Sequence, residues 1–194
     1  MTESKNQMNF RTVKSSQTVL KELMVPSYAN FGGKVHGGVI LSLMDKISYT
    51  CAASHAKGYC VTASVDSVDF INAVDVGDLL TLYASINYVG RSSLEVGIKV
   101  VSENFKEGIL RHTNTSYFTM VALDELTRKP VSVPGLILEN EVEIRRFIEG
   151  KLRREFKRTH QQGRLQARDR LDLNVELKEL RRDNCLLRSI PHKE

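Results

Sequence analysis

One long apolar segment, Gly37 to His55, stands directly ahead of four strand-like runs, and no helical stretch separates those runs from one another. That order constrains the fold more than any other feature. Parallel neighbours need a crossover of a dozen or more residues, usually a helix. Strands joined by short turns therefore pair antiparallel, and the lone helix must bury its apolar side on one face of their sheet. In the helical segment Val39, Ile40, Leu43, Met44, Ile47 and Cys51 recur at offsets of three and four, which predicts one mostly buried helix ending at Gly58. A strand over Thr18–Met24 precedes it, followed by a loop over Val25–His36 that holds Pro26, Gly32 and Gly33. The four runs are Cys60–Ile71, Leu79–Val89, Ser92–Glu103 and Ile109–Leu123. Turn signals lie between them at Asp75-Val76-Gly77-Asp78, Gly90 and Glu107-Gly108. In the first run Val61, Ala63 and Val65 alternate, then the register shifts before Val68 and Phe70, which predicts a bulge. In the second, Leu80, Leu82, Ala84, Ile86 and Tyr88 share the inner face. The fold class is α+β.

The texture changes near Pro130, Pro134 and Gly135. Residues 14–138 read as one sheet-and-helix domain, and residues 139–194 as a helical C-terminal extension serving as an oligomerisation or lid element. Of the formal net charge of +5, the tail from Glu139 carries +4, with 15 Lys and Arg against 11 Asp and Glu; the rest of the chain is nearly neutral. Acids interleave with the bases throughout the tail, so it reads as a solvated helical face, with an anionic partner as the alternative. Ile144, Phe147, Ile148, Leu152 and Phe156 form an apolar stripe on a first tail helix, and Gly163 separates it from a second. On the second, Leu173, Leu177, Leu180, Asn184 and Leu187 form a short coiled-coil seam with one polar position.

Several function classes lack their signatures. The polar N-terminus has no apolar core of a secretory signal, and no stretch approaches the ~20 apolar residues that span a bilayer. Cys51, Cys60 and Cys185 are scattered with no CxxC pair, which favours reduced thiols in a cytoplasm and argues against a cysteine zinc site. No His, Asp or Glu cluster has metal-ligand spacing, so the metal expectation is none. No nucleophile elbow, dinucleotide fingerprint or P-loop is present.

The stretch from Asn30 to Asp45 carries the chemistry. It is a glycine-rich turn, with His36-Gly37-Gly38, feeding the start of the apolar helix. Helix N-termini expose unpaired N–H groups and a positive dipole end, and glycine lets a ligand approach them closely. Such a place can stabilise an oxyanion. Asp45 lies two turns into the helix among Leu41, Leu43, Met44 and Ile47. If buried there, it would be costly unless hydrogen-bonded, and its pKa would rise toward the range of a general base. The plainer alternative is a boundary aspartate facing solvent beside Lys46. His36 reads either as a base or as a loop residue donating to backbone. His112 reads as a solvent-facing strand residue, and Asp66 and Asp69 fall on opposite faces of their strand unless the bulge intervenes.

Taken together, Asn30, Val35-His36-Gly37-Gly38 and Leu43-Met44-Asp45 resemble the signature of the hotdog-fold acyl-CoA thioesterases of the YciA and brain acyl-CoA hydrolase type. Further stretches resemble that family in order: Cys60 to Asp66, Val68-Asp69-Phe70 with Val76-Gly77-Asp78, Val89 to Val96, and Tyr117 to Asp124. The likeness covers about Lys14 to Leu138. Where the family often has proline after the Asp-Phe pair, this chain reads Ile71-Asn72-Ala73.

The resemblance implies an antiparallel sheet wrapped around the long helix, edge-to-edge dimers with the active site at the dimer interface, and a trimer of dimers. It implies an acyl-CoA substrate, with coenzyme A entering only as part of substrate and product and no other cofactor. Asp45 would activate water or attack the thioester. Asn30 of the other protomer would position water or substrate, and the Gly38 N–H would polarise the carbonyl. His36, Gly37, Arg91, Ser92 and Ser93 would line the CoA site. A non-catalytic acyl-CoA-binding regulator, with the basic tail on DNA, and a hydroxyacyl-CoA dehydratase are the alternatives. Neither fits the Asn30 and Asp45 pair as well, and no helix-turn-helix supports a nucleic-acid partner.

Overall fold

The computed structural model describes residues 10–173 together with Glu176, Leu180, Asn184 and Cys185. The chain divides after Lys151 into two compact units. The first contains β1 (Phe10–Thr12), β2 (Thr18–Leu23), the helix α1 (Gly37–Ala56), β3 (Cys60–Val65), β4 (Leu79–Val89), β5 (Ser93–Asn104), β6 (Ile109–Ala122), β7 (Gly135–Ile137) and the start of α2 (Glu141–Asp169). Five strands form an antiparallel sheet in the order β2-β4-β5-β6-β3, and β1 pairs parallel with β7.

The predicted helix and strand runs become the core. Ile40, Leu43, Met44, Ile47, Cys51 and Ala52 of α1 are buried against Leu80, Leu82, Ala84 and Ile86 of β4, Leu94, Val96, Ile98 and Val100 of β5, and Phe118 and Met120 of β6. α1 ends at Ala56, and its C-cap Lys57 adopts the left-handed conformation at φ 55°, so the stop falls at Lys57, just ahead of Gly58. Arg11 caps the same end, donating to the Ser54 and His55 carbonyls at 3.0 and 3.2 Å. His55 is fully buried there, with Nε2 at 3.0 Å from the Pro134 carbonyl.

Three expectations change. β3 ends at Val65 rather than Ile71, and its register shift falls at Thr62 and Ser64; beyond it only single backbone bonds to β6 continue, Asp66 N to the Tyr117 carbonyl at 3.0 Å and Ile71 N to the Thr113 carbonyl at 2.9 Å. A second shift between Ile86 and Tyr88 reverses the alternation in β4, and Tyr88 meets Phe147 of α2 at a centroid distance of 5.0 Å instead of joining the inner face. α2 runs unbroken through Gly163, where two helices were expected. Its buried positions are Glu143 and Gly150, with Phe147 half-buried, while Ile144, Ile148, Leu152 and Phe156 are exposed. Of the predicted second seam, Leu177 and Leu187 lie outside the described residues.

The start of α2 is held by reciprocal caps. Asn140 Oδ1 accepts from Glu143 N at 3.0 Å, and Glu143 Oε2 accepts from Glu139 N at 2.8 Å. At Gly150 the helix backbone lies close against β4 and β5: a Cβ there would sit 2.7 Å from Tyr88 Cβ and 2.8 Å from Glu95 Oε1. Alanine normally gains about 1 kcal/mol over glycine inside a helix. Here Gly150→Ala should instead destabilise by about 1–3 kcal/mol through overpacking, seen as a lower urea midpoint at unchanged slope.

Burial holds the His55 pKa below its ordinary 6.5; the bond to the Pro134 carbonyl partly offsets this and the Arg11 charge adds to it. A base whose folded pKa is depressed contributes stability above its unfolded pKa and loses it as pH falls. Melting temperature should therefore decline as pH drops below about 6.5, and His55→Gln should flatten that decline.

Candidate active site

The face of α1 turned away from the sheet carries Leu41, Ser42, Asp45, Lys46, Tyr49 and Thr50, all exposed. The apolar enclosure expected around Asp45 is therefore absent within one chain: Leu43, Met44 and Ile47 are buried, but Leu41 and Asp45 are not. A hydroxyl holds the carboxylate instead. β3 begins just past the end of α1 and runs back along it, which brings Thr62 opposite Asp45. Thr62 Oγ1 donates to Asp45 Oδ1 at 2.5 Å, the range of a strong hydroxyl–carboxylate bond. The sequence reading missed Thr62. Its only signal was position, on the strand that returns along the helix bearing the carboxylate.

At the other end of the helix, His36 is the N-cap. Its Nδ1 accepts from Gly38 N at 2.9 Å, and a Cβ on Gly38 would come within 3.0 Å of that nitrogen. His36 thus accepts a hydrogen bond from backbone where donation was expected, and the Gly38 N–H is engaged in the free chain. Gly37 packs beside the Phe70 ring. Asn30 is exposed, and its Oδ1 accepts from Gly32 N at 2.9 Å and Lys34 N at 3.1 Å, which shapes the glycine loop. Among the described residues no hydrogen bond joins Asn30 to Asp45. Gly38 and Asp45 lie about 10 Å apart along the helix axis.

Arg91, Ser92 and Ser93 form the β4–β5 turn, at the far end of the sheet, where Val133 N donates to the Arg91 carbonyl and Ala122 N to the Ser92 carbonyl, each at 2.9 Å. Asp66 and Asp69 follow the end of β3, with Asp66 N still bonded to the Tyr117 carbonyl, and His112 is exposed with Nε2 2.9 Å from Thr115 Oγ1. Burial pushes the Cys51 thiol up to about 12 and the Cys60 thiol to about 11, so neither supplies a thiolate near neutral pH. Among the described residues no group of three or more His, Cys, Asp or Glu side chains is placed to hold a metal ion, and no helix is long and apolar enough to cross a membrane.

Comparison with known proteins places this geometry. The sequence profile of the thioesterase superfamily matches residues 32–109. The protein VdlD of Helicobacter pylori is 47% identical over 148 residues, spanning 76% of this chain and 83% of that protein. An uncharacterized acyl-CoA thioester hydrolase of Bacillus subtilis, YkhA, is 38% identical over 134 residues, 69% of this chain and 77% of its own. The crystal structure of an apo hexameric acyl-CoA thioesterase superimposes with a TM-score of 0.75 at 36% identity, covering 78% of this chain and 97% of that one. A Staphylococcus aureus acyl-CoA hydrolase in complex with butyryl-CoA, CoA and CoA disulfide gives a TM-score of 0.74 at 29% identity over 82% and 97% of the two chains. Structures of that enzyme also exist with alanine in place of an asparagine, an aspartate and a threonine, spaced along its chain as Asn30, Asp45 and Thr62 are along this one. The chain belongs to the thioesterase superfamily, and its antiparallel sheet curled around a long helix is the hotdog fold of the acyl-CoA thioesterases.

His36→Ala would remove the N-cap of α1. Loss of the cap should cost about 0.5–2 kcal/mol, measured by chemical denaturation.

Proposed function

We propose that the protein is an acyl-CoA thioesterase that hydrolyses the thioester to free CoA and a carboxylic acid. The observation that carries this reading is the Asp45 carboxylate, gripped by Thr62 on the open face of α1, in a chain whose relatives include acyl-CoA hydrolases. The Thr62 hydroxyl occupies one carboxylate oxygen and leaves the other to work. That oxygen takes a proton from water as the water attacks the thioester carbonyl, or itself attacks to form an anhydride that water then cleaves. In either route the C–S bond breaks and the proton ends on the departing CoA sulfur. An N–H at the α1 start, Gly38 in this reading, stabilises the oxyanion once the substrate carbonyl displaces the His36 ring. Gly37 allows close approach at the same place.

The separation of Asp45 from Gly38 and Asn30 within one chain supports an active site shared by two protomers, with Asn30 Nδ2 and the helix start of one meeting Asp45 of the other. Exposed apolar groups support the same pairing: Leu41 one turn before Asp45 on α1, and Val65, Phe70 and Ile71 at the end of β3 and just after it, with β3 at an open sheet edge. A homo-oligomer built as a trimer of dimers extends this reading, in keeping with the hexameric neighbour. Arg91, Ser92 and Ser93 serve the nucleotide end of CoA, no further cofactor takes part, and the site of action is the cytoplasm.

The test follows CoA release with a thiol reagent across acyl-CoAs from acetyl to palmitoyl. Asp45→Asn should lose about 100-fold or more in kcat while still binding CoA. Thr62→Val, which keeps the side-chain shape, should lose about 10-fold in kcat with little change in KM. Undiminished turnover in Asp45→Asn would remove the carboxylate from the mechanism. No turnover on any chain length, with CoA still bound, would favour the regulator reading.

A further inference from the structure

Beyond Ala122 the chain folds back on itself. Leu123 bridges Pro130, and Asp124 N donates to the Lys129 carbonyl at 2.9 Å. The Asp124 carboxylate closes the turn by accepting from the N–H groups of Leu126 and Thr127 and from Thr127 Oγ1. Those bonds lower its pKa and commit its charge to the turn. The segment is stitched on both sides: Leu123 N donates to the Tyr59 carbonyl, and Val133 N to the Arg91 carbonyl, each at 2.9 Å. Arg128, Lys129, Arg91 and Lys57 are thereby gathered at one end of the sheet, all exposed and none in an ion pair among the described residues.

Arg128 is the unusual member. It adopts the left-handed backbone conformation at φ 56°, which disfavours a side chain by about 1–2 kcal/mol relative to glycine. Its guanidinium lies 5.1 Å from the centroid of the Tyr59 ring. Stacked in this way, a guanidinium keeps its N–H edge free for an anion. Tyr59 in turn meets Tyr49 edge-on at 6.4 Å, and Tyr49 lies one helical turn beyond Asp45 on the open face of α1. The Asp45–Thr62 and Tyr49–Tyr59 contacts are therefore successive rungs between α1 and the chain entering β3, leading from the carboxylate to a cluster of cations.

We infer that Arg128, braced on Tyr59, is a phosphate-binding residue for the nucleotide end of the CoA thioester, and that Tyr49 and Tyr59 line the path of the pantetheine arm back to Asp45. This rests on the thioesterase reading of Asp45 and adds to it a residue that neither the motif nor the spacing singled out. The chemistry fits: a planar fork of N–H donors suits phosphate oxygens, and the neighbouring cations match the several negative charges of the CoA nucleotide.

Arg128→Gly is the suitable variant, because glycine accepts φ 56° and removes only the side chain. Its kinetics would be compared with wild type on an acyl-CoA and on the N-acetylcysteamine thioester of the same acyl group, which lacks the nucleotide. KM for the acyl-CoA should rise by about tenfold with kcat little changed, while the truncated thioester is cleaved as by wild type and Arg128→Lys recovers part of the loss. An unchanged KM for acyl-CoA would overturn the inference, as would an equal loss on both thioesters, which marks a purely structural role. If wild type cleaves neither thioester, the thioesterase reading fails by itself. Calorimetric binding of CoA then decides: weaker binding by Arg128→Gly upholds the phosphate contact, and equal affinity overturns it.

Discussion

The structure depends on one helix doing two jobs on opposite faces. Ile40, Leu43, Met44, Ile47 and Cys51 of α1 are driven into the curl of the sheet by removal of their apolar surface from water. With 3.6 residues per turn, that commitment turns Leu41, Asp45 and Tyr49 the other way. The carboxylate is thus held in position by packing in which it takes no part. Any rotation of α1 that moved Asp45 would also expose part of the core.

The second constraint is the path of the chain after the helix. Lys57 ends α1 in a left-handed turn, and β3 returns at once along the helix it has just left. This places Thr62 against Asp45 and Tyr59 against Tyr49. The same reversal leaves β3 at the sheet edge, where backbone groups and the apolar side chains Val65, Phe70 and Ile71 lie open. One connection therefore sets both the contacts along α1 and the open edge of the sheet. The β6 return segment plays a matching part at the end of the sheet, where backbone bonds to Tyr59 and Arg91 bring distant cations together.

Hydrogen bonds within the chain engage polar groups of the loop that enters α1. Asn30 Oδ1 builds its own loop, and His36 closes the helix start through Gly38 N. In the free chain the Gly38 N–H at the helix start is thus already engaged by the His36 ring.

Period and punctuation determined much of this protein before any folding. The three-and-four spacing from Val39 to Cys51 marked α1, the alternation at Leu80, Leu82, Ala84 and Ile86 marked the inner face of β4, and the Asn30-to-Asp45 stretch marked the carboxylate and its glycine turn. These features are local, and backbone geometry alone turns them into faces. The tertiary structure decided what depends on residues far apart in sequence or on register. The shift at Ile86 and Tyr88 sent Tyr88 to the outer face, and packing left Ile144, Ile148 and Phe156 exposed although their spacing suits burial. Thr62 and Arg128 carried no motif, because their contacts with Asp45 and Tyr59 come from a strand that returns along α1 and from a turn that folds back beyond β6. A pattern of spacing records which face a residue occupies, but only the folded chain determines what stands opposite it.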